Sequence, residues 1–332
     1  MKSKIYLVVF FIFVIILVGC STFTENESAS KSSDKDGENY PERPIDVVIP
    51  YAAGGSADLQ ARIISDYMKN EFDQTINVVA KGGGAGSTGM NYVKSAKADG
   101  HTIILTAVGP STLTPNSNDV GYNVTDDFEQ ISQISQAPYG IAVNSSLNVN
   151  SLEELFNMSK DKEVTYGTTG AGLHQHVVTS ALVSELNDVN MEHVPFEGGA
   201  EAVSALLGNH VIASVNTISE LLPHQESGDI KILAVTSEER LEELPDVPTF
   251  KELGHNLIGN GAWFGFMAPK DTPKGIVNKL DETIKKALSD EKVKEQFENA
   301  GLPIEYLNNE EFTEKVKEEN EKNAKVIESL DL

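Results

Sequence analysis

Two glycine turns, Ala52-Ala53-Gly54-Gly55-Ser56 and Gly82-Gly83-Gly84-Ala85-Gly86-Ser87-Thr88-Gly89, are the segments best suited to hold a ligand. Each follows a strand-like apolar run, Ile45 to Pro50 or Ile76 to Ala80, and each leads toward helical sequence. A strand that hands over to a helix through glycines leaves backbone N–H groups aimed at open space. With the helix dipole behind them they receive an anion without any basic side chain. A third turn, Thr168-Thr169-Gly170-Ala171-Gly172, repeats the arrangement after Val164-Thr165-Tyr166-Gly167.

Other chemistry is less well supported. Gly84-x-Gly86-x-x-Gly89 matches the dinucleotide pattern, but it follows the second strand of its unit rather than the first. No acidic residue closes a following strand to hold a ribose hydroxyl. A P-loop fails because Lys followed by Ser or Thr is missing after the glycines. His174 and His176 could begin a metal site with His193 or Glu197, yet residues two apart at a helix start do not share a face. A polar helix start is the preferred reading, with His174 near enough to the third turn to touch a ligand. No Gly-x-Ser-x-Gly elbow, Cys nucleophile or Ser–His–Asp set stands out, so the reading is of a binding protein without cofactor or catalytic residues. Trp263, with Phe264 and Phe266, is read as core packing, the alternative being that it borders a cleft.

The elements that position the turns alternate. Leu59, Ile63, Ile64, Tyr67 and Met68 make one apolar stripe on a helix to about Phe72, with Ser56 or Asp58 placed to cap it. The strand Ile76 to Val79, a helix through Met90, Val93 and Ala96, and the strand Thr102 to Ala107 complete β-α-β-α-β. That order predicts a parallel sheet with right-handed crossovers. From Tyr139 the alternation resumes, through strands at Val164, Glu192, Val211 and Ile230 and helices between them, and predicts a second α/β lobe. Trp263 to Met267 reads as a return strand. Val277 to Leu288, Val293 to Ala300 and Phe312 to Leu330 read as amphipathic helices.

Lys2 and Lys4 precede an apolar run, Ile5 to Val18, that is short for a membrane span and reads as a signal peptide over residues 1–19. Leu17-Val18-Gly19-Cys20 resembles the lipobox of bacterial lipoproteins, which implies a lipid on Cys20. An ordinary signal peptide with an incidental cysteine is the alternative. Cys20 is the only cysteine, which excludes disulfides and Cys-based metal sites. Residues 20–39, rich in Ser, Glu, Lys and Asp, are expected to form a disordered tether. Losing the leader takes the net charge from −24 to −26, which argues against nucleic acid and against adhesion to anionic lipid. The remaining chain of about 290 residues exceeds one usual core, so two lobes are expected.

Over about residues 40 to 330 the chain resembles the solute-binding proteins of tripartite tricarboxylate transporters, the Bug family. Tyr40-Pro41-Glu42-Arg43-Pro44-Ile45 and Pro50-Tyr51-Ala52-Ala53-Gly54-Gly55, followed by Asp58 and Ala61-Arg62, match the family's opening. Gly84-Ala85-Gly86, Gly89 and Ala98-Asp99-Gly100-His101-Thr102 match its second block. Tyr166-Gly167 with Gly170-x-Gly172 matches the third loosely, because its histidine falls one position early at His174. Further matches are His193-Val194-Pro195-Phe196-x-Gly198-Gly199, Leu233-Ala234-Val235-Thr236, Leu244-Pro245-Asp246-Val247-Pro248-Thr249 and Trp263-x-Gly265-x-x-Ala268-Pro269.

The resemblance implies a type II clamp like the periplasmic binding proteins, each lobe a mainly parallel sheet flanked by helices. Lobe one would comprise residues 40–138 plus 260–332, and lobe two 139–259. By position, Tyr51, Ala53, Gly54 and Gly55 would receive a carboxylate, with Ser87 and Thr88 nearby. Thr169, Gly170, Ala171, Gly172 and Gly198 would close from lobe two. The implied partners are a small organic acid and the large and small membrane subunits of such a transporter. The protein would be a monomer, held to the outer face of the cytoplasmic membrane, or in the periplasm, by its N-terminal lipid. A lipoprotein that senses an organic acid or amino acid for a signalling receptor is the alternative.

The chain departs from the family in three places: Lys81-Gly82-Gly83-Gly84 stands where the family often has Asn-Arg-Pro-Gly, Glu197 where it often has a lysine, and Asn216 where an aspartate is common. If Glu197 faces the cleft it disfavours a second carboxylate, which points to a monocarboxylate or an acid with a neutral or cationic distal group.

Overall fold

The computed structural model describes residues 39–186, 188–255 and 261–330. The leader, Cys20 and residues 21–38 lie outside the described residues. The first strands form as their apolar runs predict: β1 (Ile45–Ile49), β2 (Ile76–Ala80) and β3 (Thr102–Ala107), linked by α1 (Ser56–Phe72) and α2 (Ser87–Lys94). β1 pairs in parallel with both β2 and β3. Beyond β3 the sheet turns antiparallel through β10 (Ala262–Pro269), β4 (Phe128–Ala137) and β11 (Ile304–Leu307), giving the order β11-β4-β10-β3-β1-β2.

The second sheet contains β5 (Tyr139–Asn144), β6 (Val164–Thr168), β7 (Met191–Pro195), β8 (Ala213–Thr217) and β9 (Ile230–Val235), in the order β7-β6-β8-β5-β9. β6 is parallel to β7 and β8, whereas β5 is antiparallel to β8 and β9. The architecture is the two-lobed α/β clamp expected, but both sheets are mixed rather than mainly parallel. β10 and β11 in the first sheet and β5 in the second run against the parallel strands, while β4 points the same way as β1 and β3.

Helices cover the sheets: α4 (Leu152–Asp161), α5 (His174–Glu185), α6 (Gly199–Leu207), α7 (Ile218–Glu226), α8 (Lys274–Ser289), α9 (Glu291–Asn299) and α10 (Asn309–Leu330), the short α3 (Thr114–Ser117) preceding them. Alternation along β5 divides the interior. Ile141 and Val143 face an apolar core that runs on into the first sheet, while Ala142 faces a second core with Val203, Leu206, Ile218 and Leu221 from α6 and α7.

Two elements escape the sequence pattern. Gly109–Leu113 forms a π-helical turn directly after β3. β4 is ten residues long although its sequence is rich in Gln and Ser, because those side chains find partners inside the protein. Ser135 Oγ donates to Gln60 Oε1 on α1, and Gln60 Nε2 donates to Ser56 Oγ at 3.1 Å. Gln133 donates to the Glu305 carbonyl on β11 at 3.1 Å. A buried polar rail therefore runs from β4 to the first residue of α1.

Trp263 is core, as read: it stacks edge-on against Phe312 with centroids 5.1 Å apart, and its N–H donates to Glu319. Phe312, fully buried, is what ties α10 to β10. Truncating it leaves a cavity under a helix that has few other large apolar anchors. Phe312→Ala should destabilise the protein by about 3–5 kcal/mol in urea unfolding, and a loss below about 1 kcal/mol would show that α10 docks by other means.

Candidate functional site

At the first glycine turn, β1 ends, the chain reverses, and α1 begins at Ser56 with Gly55 as its N-cap in extended backbone. No side chain caps it from the Gly55 position. Instead Asp58 Oδ2 accepts the Gly54 N–H at 2.9 Å, and Asp58 Oδ1 pairs with Arg62 at 3.0 Å. Asp58, one of the two capping candidates, thus serves the turn from inside the helix.

Two further N–H groups of this turn reach across to the second sheet's side. Ala52 N–H donates to the Glu197 carbonyl at 3.2 Å. Ser56 N–H donates to Glu220 Oε1 at 2.9 Å. Glu220 stands in the first turn of α7, three residues after its N-cap Thr217. Its carboxylate lies against Gly199 at the start of α6 and beside Gly55. A Cβ on Gly199 would fall about 2.1 Å from Oε1, and one on Gly55 about 2.8 Å. The two glycines are required by close approach: a carboxylate fits between the lobes only where no side chain projects. Glu220 Oε2 is buried and has no hydrogen-bond partner among the described residues.

Beside this carboxylate opens a narrow cavity. The first sheet's side contributes Tyr51, Gly55, Ser56 and the residues after β3, Ala107 to Gly109. The second sheet's side contributes Tyr139, Thr169, Leu173, His174 and Gln175, with Thr217 and Glu220. Ala262 and Phe264 close one wall, while Trp263 between them points away. Among the described residues no Lys or Arg lines the cavity, and Glu220 is its acidic side chain.

The three turns share this work unequally. Of the residues expected at the site, Tyr51, Gly55 and Thr169 line the cavity. Gly170 and Ala171 line a neighbouring open groove with Gly83 to Gly86 and Glu197, and Gly54 faces a third depression beside Ala200. Ala53, Ser87, Thr88, Gly172 and Gly198 line none of these, although Gly198 packs against Ala52.

The second turn is closed on itself. Gly86 N–H and Thr88 N–H donate to the Gly83 carbonyl, and Ser87 N–H donates to that of Gly84. With those N–H groups consumed, the dinucleotide match lacks its phosphate cradle. Glu197 is exposed and faces Gly82 and Gly83, not the enclosed cavity. The acidic side chain in the cavity is Glu220.

The histidines separate as their spacing predicts. His174 faces the cavity, where its Nδ1 and the Tyr139 hydroxyl lie 3.0 Å apart. His176 accepts the Gly172 N–H on Nδ1 at 3.0 Å and stacks on His193 at 3.8 Å. Burial, and then the neighbouring His176, push the His193 pKa down to about 4, so this stack is uncharged at neutral pH. Among the described residues no cluster of three or more metal-ligating side chains forms.

Burial raises the Glu220 pKa, opposed by the hydrogen bonds from Ser56 and Thr217. The Tyr51 hydroxyl is also raised, by burial first and the Glu220 charge second. With its native pKa above the unfolded value, Glu220 favours the fold at low pH, and that contribution is lost as pH rises through the native pKa. In the ligand-free protein, Glu220→Gln should therefore melt higher than wild type at about pH 8, the gap closing toward about pH 5. Equal melting temperatures at both pH values would show that the carboxylate is already satisfied.

Comparisons with known proteins show the family and the fold. The family described as the tripartite tricarboxylate transporter family receptor matches residues 60–332. BugT of Bordetella pertussis is 30% identical over 296 residues, 87% of this chain and 88% of that protein. The structure of the periplasmic binding protein BugD superposes with a TM-score of 0.83 at 33% identity, covering 88% of this chain and 98% of that one. MatC from Rhodopseudomonas palustris, with bound malate, superposes at 0.79 with 26% identity, covering 87% of this chain and all of that one (100%). The chain belongs to the tripartite tricarboxylate transporter receptor family.

Proposed function

We propose that the protein is an extracytoplasmic solute receptor that captures a small carboxylate in the cavity beside the first glycine turn and delivers it to a tripartite membrane transporter. The observation that carries the reading is a cavity between the two sheets, at the N-terminus of α1, in a chain of the receptor family. MatC holds malate in the same fold. In this reading residues 40–138 plus 260–332 form one lobe and 139–259 the other. The ligand joins Ala52–Glu197 and Ser56–Glu220 in bridging them, and the closed clamp is what the large and small membrane subunits recognise. Affinity comes from backbone N–H groups and hydroxyls, since among the described residues no Lys or Arg lines the cavity. Lipidation of Cys20 would hold the monomer at the outer face of the cytoplasmic membrane.

A thermal-shift screen of organic acids and amino acids on the protein from Asn39 onward tests the capture step. A true ligand raises the melting point by mass action, by an amount worth about 2.7 kcal/mol at a hundredfold excess over Kd. Gly54, at φ +92°, adopts a conformation that valine strains, so Gly54→Val should disturb the turn that presents the Gly55 N–H to a ligand and aims that of Ser56 at Glu220. Its affinity should fall by at least about tenfold with the circular dichroism unchanged. Near-normal affinity would place the ligand elsewhere.

A further inference from the structure

We propose that Glu220 selects a ligand that carries an ammonium group together with its carboxylate, an amino acid rather than a di- or tricarboxylate. The inference rests on the receptor reading above and names the substrate class of that same cavity.

Three observations converge on it. First, a protein carboxylate already occupies the place between the N-termini of α1 and α6 where an incoming anion would otherwise be expected. Oε1 is held by the Ser56 N–H, and Gly55 and Gly199 leave the space the group fills. Second, the other oxygen, Oε2, is buried without a donor from the described residues. A buried acceptor left unmatched is costly, and a donor from the ligand removes that cost. Third, among the described residues no Lys or Arg lines the cavity. A dicarboxylate would add two negative charges to one already present with no base to offset any of them. A zwitterion adds none and places its positive end against the acid.

The remaining donors suit a single ligand carboxylate. Tyr51, the Gln175 side chain and the Gly55 backbone stand on the same walls. Between them lies an apolar lining of Ala57, Ala107, Val108, Leu173 and Phe264, which fits a carbon skeleton rather than a second charge.

Glu220 also has a purely local role open to it. Thr217-Ile218-Ser219-Glu220 has the spacing of a capping box, but the Thr217 side chain does not cap α7. A capping box needs only one donor satisfied at the surface. It accounts neither for burial of the second oxygen nor for the glycine on each side of the carboxylate.

The test is a calorimetric panel of α-, β- and γ-amino acids, each paired with its des-amino acid, for example L-alanine with propionate and L-glutamate with glutarate. Wild type should bind the amino member of its best pair at least about tenfold more tightly. Glu220→Gln should bring that ratio to within about twofold while binding dicarboxylates no worse than wild type. Wild type favouring the des-amino members throughout would overturn the ammonium assignment and leave the carboxylate receptor standing, with Glu220 then a latch that the ligand displaces. A preference that survives in Glu220→Gln would likewise overturn it. Failure of every member of both series to bind wild type would overturn the receptor reading and this inference together.

Discussion

A carboxylate held where two helices begin is the contact on which the geometry of the cleft depends. The Ser56 N–H of α1 meets Glu220 of α7, and the start of α6 at Gly199 lies against the same group. Helix starts concentrate unsatisfied N–H groups and positive potential, so they draw together around a negative charge that each alone would leave to solvent. The buried rail Ser135–Gln60–Ser56 fixes α1 in depth, which sets where its first N–H points. From this follow the glycines at 55 and 199, the raised pKa of Glu220 and the absence of basic residues from the lining.

The same arrangement relates structure to the proposed capture. One oxygen of Glu220 is spent across the cleft, helping to hold the sides together, and the other is unmatched. A ligand that supplies the missing donor would strengthen a closed state that the protein contacts already favour in part. Closure and selectivity would then reside in one side chain, in contrast to sites that rely only on backbone N–H groups and water.

Much of the fold was legible because its signals are local. The β-α-β-α-β start, the second alternating unit and the three terminal helices all follow from apolar periodicity. The first glycine turn could be picked out from the strand before it and the helix after it. β4 was not legible, since Gln130, Gln133 and Ser135 are buried through partners on α1, on β11 and in the loop before the strand that no local pattern reveals. Several blocks that carry the family resemblance also turn out to be structural. Tyr40 donates to the Gly100 carbonyl at 2.7 Å and packs edge-on against Phe72 and His101, and these residues do not line the cavity. At the site, Glu197 drew attention as a departure at a recognised motif, whereas Glu220 has only the signature of a capping box. That signature predicts a helix start, but which cavity the side chain enters depends on how α7 lies against α1, and that is set by the whole fold.

The most direct measurement is a crystal structure of the protein with the tightest binder from the screen. The account predicts the ligand in the cavity lined by Tyr51, Gly55 and Thr169, its carboxylate on turn N–H groups or hydroxyls and a donor within hydrogen-bond distance of Glu220 Oε2. A ligand bound outside that cavity, or one whose carboxylate has displaced Glu220 from Ser56, would contradict it.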